Sequence, residues 1–151
     1  MTTNKTNCPN NSCECLFCKF AKHELDTATV FENEHAIAFL DINPAGELEG
    51  HTLVLPKKHY ETIQDVPDKE LSETIKVVKL LTTAIKKVSG ADGINIIQNN
   101  EKAAGQAVPH LHFHIIPRKH GDGIYFDSKR RNLKPLELIE TEKAIREEIK
   151  K

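Results

Sequence analysis

The stretch PHLHFHIIP, residues 109 to 117, constrains the fold more than any other. Histidines at 110, 112 and 114 alternate with Leu111, Phe113 and Ile115, and an extended chain sends successive side chains to opposite faces. One face of this predicted strand carries three imidazoles, and the other enters a core. A packed interior has no use for three imidazoles in a row, which repel one another when charged. The polar face is therefore a metal site or a catalytic site.

Other periodicities supply what packs around that strand. Residues 67 to 89 repeat apolar positions at Leu71, Ile75, Val78, Leu81, Ile85 and Val88, the spacing of a long helix, with Pro67 suited to its first turn and Gly90 to its stop. TVFENE and AIAFLDI read as two strands turning near Asn33 and Glu34, HTLVLP as a third and GINIIQN as a fourth. CLFCKFAKHEL, 15 to 25, reads as a short helix with Leu16, Phe17 and Phe20 on its apolar side. A last amphipathic helix, about 135 to 149, aligns Leu138, Ile145 and Ile149. The order predicts an α+β domain, an antiparallel sheet with one long helix packed on it.

A chain of 151 residues with 38% hydrophobic and 28% charged residues suits one soluble domain. The formal net charge of −1 excludes a strong global pull toward nucleic acid. The basic run from Lys129 reads as a solvated helix face rather than a nucleic-acid surface. No run is long and apolar enough for a membrane span, and MTTNKTNCPNNSCE lacks the apolar core of a signal peptide. Residues 1–14 are expected to be a flexible tail, and the protein to be cytoplasmic, with the nucleus as the other option.

Two chemistries fit the histidines. Histidines at i and i+2 of a strand can share a zinc that activates water, but three spread over about 13 Å and one ion does not reach them all. Alternatively, one imidazole attacks phosphorus while a second stands near the leaving group. The preceding loop offers phosphate donors: Gly105 permits close approach, the amides of Gln106, Ala107 and Val108 can form an anion nest, and Asn99 adds a side-chain donor.

HLHFHII resembles the histidine triad pattern, and CLFCKFAKHEL, VFENEHAIAFLDINP, GHTLVLPKKH, NNEKAAGQAVPH and HIIPR resemble the Hint branch of that superfamily in order and spacing, across about residues 15 to 118. The resemblance implies a HIT-like fold: a five-stranded antiparallel sheet, one long helix and a short N-terminal helix, here with a C-terminal extension, 119–151, that adds a helix. It also implies roles. His112 is the nucleophile on the α-phosphorus of a purine nucleotide such as AMP or its phosphoramidate. His114 contacts the phosphate and assists the leaving group, His110 orients the site, and His51 supports it. Asp41 and the Ile42 backbone hold the ribose, and Leu16, Phe17, Phe20, Phe39 and Leu53 wall the base pocket. Without the resemblance those apolar residues read as core and Asp41 as a turn residue. The uridylyltransferase relatives carry glutamine at the third triad position, so His114 favours a hydrolase, and the tail has no finger pattern of the aprataxin kind. Dinucleoside polyphosphate hydrolysis, or nucleotide binding with weak turnover in a partner protein, are the alternative functions. Many Hint proteins have serine where this chain has Ala107, which removes a side-chain donor near the leaving group.

The cysteines crowd into the first eighteen residues, at 8, 13, 15 and 18. Cys15 and Cys18 have the spacing of a zinc half-site, with a redox pair or two buried free thiols as rival readings; His59 in PKKHY is a further ligand candidate. The zinc-bearing members complete the set with the first triad histidine, which implies Cys15, Cys18, His59 and His110 around a structural zinc. Cys8 and Cys13 read as tail residues able to replace a ligand. The resemblance also implies a homodimer.

Overall fold

A computed structural model describes residues 15–125 and 134–150; the expected tail, with Cys8 and Cys13, and the basic residues Lys129, Arg130 and Arg131 lie outside them. Five strands form one antiparallel sheet in the order β1-β2-β3-β5-β4. They are β1 (Thr29–Glu32), β2 (Ala36–Leu40), β3 (Thr52–Pro56), β4 (Gly93–Gln98) and β5 (Phe113–Arg118). The β1–β2 turn closes because the Asn33 side-chain oxygen accepts the His35 and Ala36 amides at 2.9 and 2.8 Å. Such local acceptance is why asparagine suits turns.

The long helix α2 (Asp68–Ser89) follows Pro67 and stops at Gly90, whose φ of +64° needs no Cβ. Its buried stripe is Thr74, Val77, Val78 and Leu81, with Leu71 and Ile85 partly covered. Ile75 and Val88, expected on that stripe, are exposed. Ile75 follows Thr74 and so sits about 100° further around the helix, while Val88 lies in the last turn.

Period-two alternation divides the side chains of the sheet between two clusters. Ala36, Ala38, Val54, Phe113 and Ile115 pack with α2 on one face. Ile37, Phe39, Leu53 and Leu55 pack on the other with Phe17 of α1 (Leu16–Ala21). Both faces of β2 and β3 are therefore covered, and every residue of the two strands except Leu40 is buried. Helix α1 is shorter than the expected 15–25, because His23 takes a φ of +57° just beyond it. Helix α3 (Pro135–Ile149) falls where the periodicity put it, and Leu138, Ile145 and Ile149 are all exposed.

The histidine strand begins later than its sequence suggests. The ladder of β5 starts at Phe113, so His110 and His112 precede it and only His114 is paired, with Leu53 on one side and Ile97 on the other. The cause is where the amides go. Pro109 has none, His110 N–H donates to Val108 O at 2.8 Å, and Leu111 N–H donates to Tyr60 O at 2.6 Å. The alternation survives: Leu111 joins Phe113 and Ile115 in the α2 core, while all three histidines stand on the α1 side.

Candidate active site and metal cluster

A cleft of about 360 Å³ opens between α1, the end of β2 and the 107–114 segment. Phe17, Phe20, Phe39 and Leu53 give it an apolar floor, with Leu16 and Val108 at its edge. The rings of Phe17, Phe20 and Phe39 stand at 5.1 to 6.3 Å from one another, in tilted and edge-on pairs. Asp41, Ile42 and Ala107 border it, and His112 and His114 close one end. Ile42 is 90% exposed at the lip.

Hydrogen bonds set the tautomers of these histidines. His112 Nδ1 lies 2.6 Å from the His110 carbonyl oxygen. A carbonyl only accepts, so Nδ1 carries the proton and Nε2 keeps its lone pair. Burial holds the ring's pKa below the usual 6.5. Ala45 N–H donates to His51 Nδ1 at 2.9 Å, and His51 Nε2 lies 3.0 Å from His114 Nδ1. The proton of His51 is therefore on Nε2 and is given to His114 Nδ1, which leaves the His114 proton on Nε2. Burial, reinforced by the neighbouring His112 and His51 rings, brings His114 down to about 4. Burial also lowers His51. That end of the cleft thus presents one bare nitrogen and one N–H, both uncharged at neutral pH.

His110 is fully buried and faces elsewhere. Its Nε2 donates to Pro56 O at 2.9 Å, so Nδ1 is unprotonated, 3.5 Å from Cys15 Sγ and 3.6 Å from Cys18 Sγ. His59 Nδ1 lies 3.3 Å from Cys18 Sγ. The four ligand atoms lie within 4.8 Å of one another, a cluster able to hold a metal ion. Burial pushes the Cys15 thiol up, but the His110 and His59 rings outweigh it and bring Cys15 down to about 5. Burial and the Cys15 thiolate push Cys18 up to about 12. Two residues from different parts of the chain thus meet two cysteines one helical turn apart.

The loop expected to bind phosphate departs from its sequence reading. The Gln106 amide donates to Glu101 O at 3.0 Å and is not available to an anion. The Gln106 side chain is likewise engaged, accepting Glu101 N–H at 2.6 Å and donating to Glu61 O at 2.7 Å. These bonds hold Glu101 at a φ of +66°, which an L residue rarely adopts. Among the described residues the amides of Ala107 and Val108 have no protein acceptor, so two donors of the expected nest remain. Gly105, at φ +87°, brings the loop to Asn99, whose Nδ2 lies 3.8 Å from where a Cβ would stand. Neither Asn99 nor Gly105 lines the cleft. Thr27, Leu40 and Asn43 do line it and were not singled out from sequence. The Asn43 amide donates to Asp41 Oδ1 at 2.8 Å, a turn that DINP signals locally; Thr27 sits in a connection with no such signal.

A five-stranded antiparallel sheet that presents a bare imidazole nitrogen and an imidazole N–H over an aromatic cleft is the layout of a histidine triad protein. The chain belongs to the HIT domain family, whose domain matches residues 22–121. It is 54% identical over 109 residues to an uncharacterized HIT-like protein of Methanocaldococcus jannaschii, covering 72% of this chain and 82% of that one. It is 39% identical over 120 residues to the adenosine 5'-monophosphoramidase of Saccharomyces cerevisiae, covering 79% of this chain and 72% of that one. A crystal structure from Streptococcus mutans superposes with a TM-score of 0.87 at 33% identity, covering 95% of this chain and 90% of that one. Among the described residues no helix is long and apolar enough to cross a membrane.

Proposed function

We propose that the protein is a nucleotide hydrolase that cleaves the bond to the α-phosphate of a purine nucleotide, of the adenosine phosphoramidate or acyl-adenylate type, through a nucleotide transiently bound to His112. The observation that carries this reading is the 2.6 Å contact between His112 Nδ1 and the His110 carbonyl, which leaves Nε2 unprotonated at the reactive end of the cleft. The name of the yeast relative, an adenosine 5'-monophosphoramidase, supports the same substrate class.

The base lies among Phe17, Phe20, Phe39 and Leu53, with Leu16 at the edge, and Asp41 with the Ile42 backbone takes the ribose hydroxyls. The Ala107 and Val108 amides and His114 Nε2–H donate to the phosphate oxygens, where charge gathers in the transition state. His112 Nε2 forms a bond to phosphorus as the bond to the leaving nitrogen breaks; that nitrogen keeps the electron pair and takes a proton from water. A second water then attacks phosphorus, the His112–phosphorus bond breaks, its electron pair returns to Nε2, and the water's proton is released to solvent. His51 acts through His114 by fixing its tautomer, and Asn99 and Gly105 shape the loop that carries the two amides.

Zinc fits the cysteine–histidine cluster. With bonds of about 2.3 Å to sulfur and about 2.0 to 2.1 Å to nitrogen, tetrahedral zinc has S···N edges of about 3.6 Å, beside 3.3, 3.5 and 3.6 Å here. Cys15, Cys18, His59 and His110 would hold it in a closed four-ligand site, where it supplies a structural clamp between α1 and the segment before β5. Cysteines kept as metal ligands rather than disulfides suit a reducing compartment, so we place the protein in the cytoplasm or nucleus. A homodimer is expected by resemblance, and the exposed Leu80 and Ile96 are apolar surface in keeping with it.

The test is intact mass after mixing with adenosine phosphoramidate at low pH, wild type beside His112→Ala, with zinc measured on the same samples. One added adenylate in the wild type and none in the variant is the expected result. Tight AMP binding without adduct or turnover would instead make the protein a nucleotide-binding partner, and preferred cleavage of dinucleoside polyphosphates would change the substrate.

A further inference from the structure

A second cavity, of about 480 Å³, lies against the first and shares Leu16, Ala107 and Val108 with it. His112 and His114 line the first cavity and not the second. In phosphoryl transfer the attacking and departing atoms stand roughly in line, on opposite sides of phosphorus. A phosphorus attacked by His112 Nε2 therefore sends its leaving group away from that ring, and of the two cavities that meet at Ala107 and Val108 the second is the one free of both histidines.

The chemistry of that cavity is simple. Leu16, Ala107, Val108 and Pro109 give it apolar walls, and Cys15 and His59 belong to the metal cluster. Glu61 is the one carboxylate among its lining residues. Among the described residues that carboxylate makes no hydrogen bond or salt bridge, and its charge is felt by the neighbouring His59 ring. Its backbone is fixed, because Glu61 O accepts Gln106 Nε2–H at 2.7 Å and so rides with the phosphate loop. Two thiolates balance a divalent ion and neutral imidazoles add nothing, so a filled cluster leaves Glu61 to set the sign of the cavity. Ala107, a methyl where a hydroxyl is common, offers no side-chain donor or acceptor to the leaving atom at the shared rim. Selection then passes to the far end of the leaving group.

We propose that this cavity is the leaving-group subsite and that Glu61 selects leaving groups with a short apolar chain ending in a cation, such as a diamine. The inference rests on the hydrolase reading and names the class of amine it releases. An amine of that class is held along Leu16 and Val108 with its ammonium at Glu61, and it departs once the bond to phosphorus breaks.

The experiment compares adenosine phosphoramidates of three amines of similar length: putrescine, whose tail is cationic, pentylamine, neutral, and γ-aminobutyrate, anionic. In the wild type kcat/KM should fall in that order, by about fivefold per step at low salt, as for a partly exposed ion pair. The steps should shrink as salt is raised. Glu61→Gln keeps shape and removes charge, and should bring putrescine and pentylamine to within about twofold of each other. Glu61→Lys should place γ-aminobutyrate first. A wild type indifferent to the tail's charge, or the same order in Glu61→Gln, overturns the subsite while hydrolysis stands. If neither an adenylate on His112 nor release of any of the three amines is observed, the hydrolase reading is overturned and the subsite with it.

Discussion

His51 allows the tautomer argument to be tested atom by atom. It is buried, accepts Ala45 N–H through Nδ1, and donates through Nε2 to His114 Nδ1. Asparagine places an amide oxygen near the Nδ1 position and keeps the first bond, but it is too short to reach His114. Glutamine carries an amide N–H to the Nε2 position and keeps the second. Under His51→Asn the half-buried His114 Nδ1 loses its donor, a loss of up to about 1–3 kcal/mol, the range for an unsatisfied buried group. The His114 proton can then move to Nδ1, which turns a lone pair toward the phosphate oxygens. If that loss falls on the transition state, kcat drops about 5- to 150-fold at about 1.4 kcal/mol per decade. Release of amine from adenosine phosphoramidate at pH 7, with thermal melts as a control for folding, measures it. We expect His51→Asn to lose about 5- to 150-fold in kcat with KM within about twofold, and His51→Gln to lose less than about fivefold. Equal losses in the two variants, or a greater loss with glutamine, would refute the assigned tautomers.

Three further outcomes follow from the same geometry. Leu111→Ala empties a fully buried position between His110 and His112 and should cost about 2–5 kcal/mol in urea unfolding; a loss below about 1 kcal/mol would mean that the segment collapses onto the gap. Because burial holds His114 at about 4, its neutral form dominates down to that pH, so turnover should stay level through pH 6.5 and fall only as pH approaches about 4. The same depression contributes stability that is present above pH 6.5, where the unfolded ring is neutral, and is lost as pH falls toward about 4; an acid limb centred at 6.5 in the kcat/KM profile would contradict it. With zinc loaded into the proposed site, a chelator should lower the melting temperature, since a ligand held at a thousand times its Kd adds about 4 kcal/mol, whereas Cys18→Ser should melt low with or without chelator.

Helix α2 was legible because its apolar period is local, and the β1–β2 hairpin because Asn33 closes its own turn. The alternation from His110 to Ile115 gave the correct division of faces, since side-chain direction follows the extended backbone whether or not a ladder forms. It could not reveal that His110 and His112 stand outside the ladder, because the bond that takes the Leu111 amide comes from Tyr60, far back along the chain in a different loop. Gln106 misled for a similar reason. Its amide and side chain are engaged by Glu101 and Glu61, contacts that leave no periodic trace in sequence. Thr27 entered the cleft by the path of a connection, and Glu61 faces its cavity through the pinning of a loop; neither carries a motif.

His110 has both ring nitrogens engaged, one by the Pro56 carbonyl and one by the thiols, and neither faces the cleft. On the proposed roles, the three evenly spaced histidines are two separate devices spliced into one stretch of chain: a ligand, then a reactive pair. Devices joined only by proximity can be inherited separately. A lineage that replaced Cys15 and Cys18 with other side chains could keep the imidazole at 110 as plain core, anchored to Pro56, while the pair at 112 and 114 went on unchanged. The spacing of the motif preserves a shape, and the cysteines in front of it tell which chains have kept the second use.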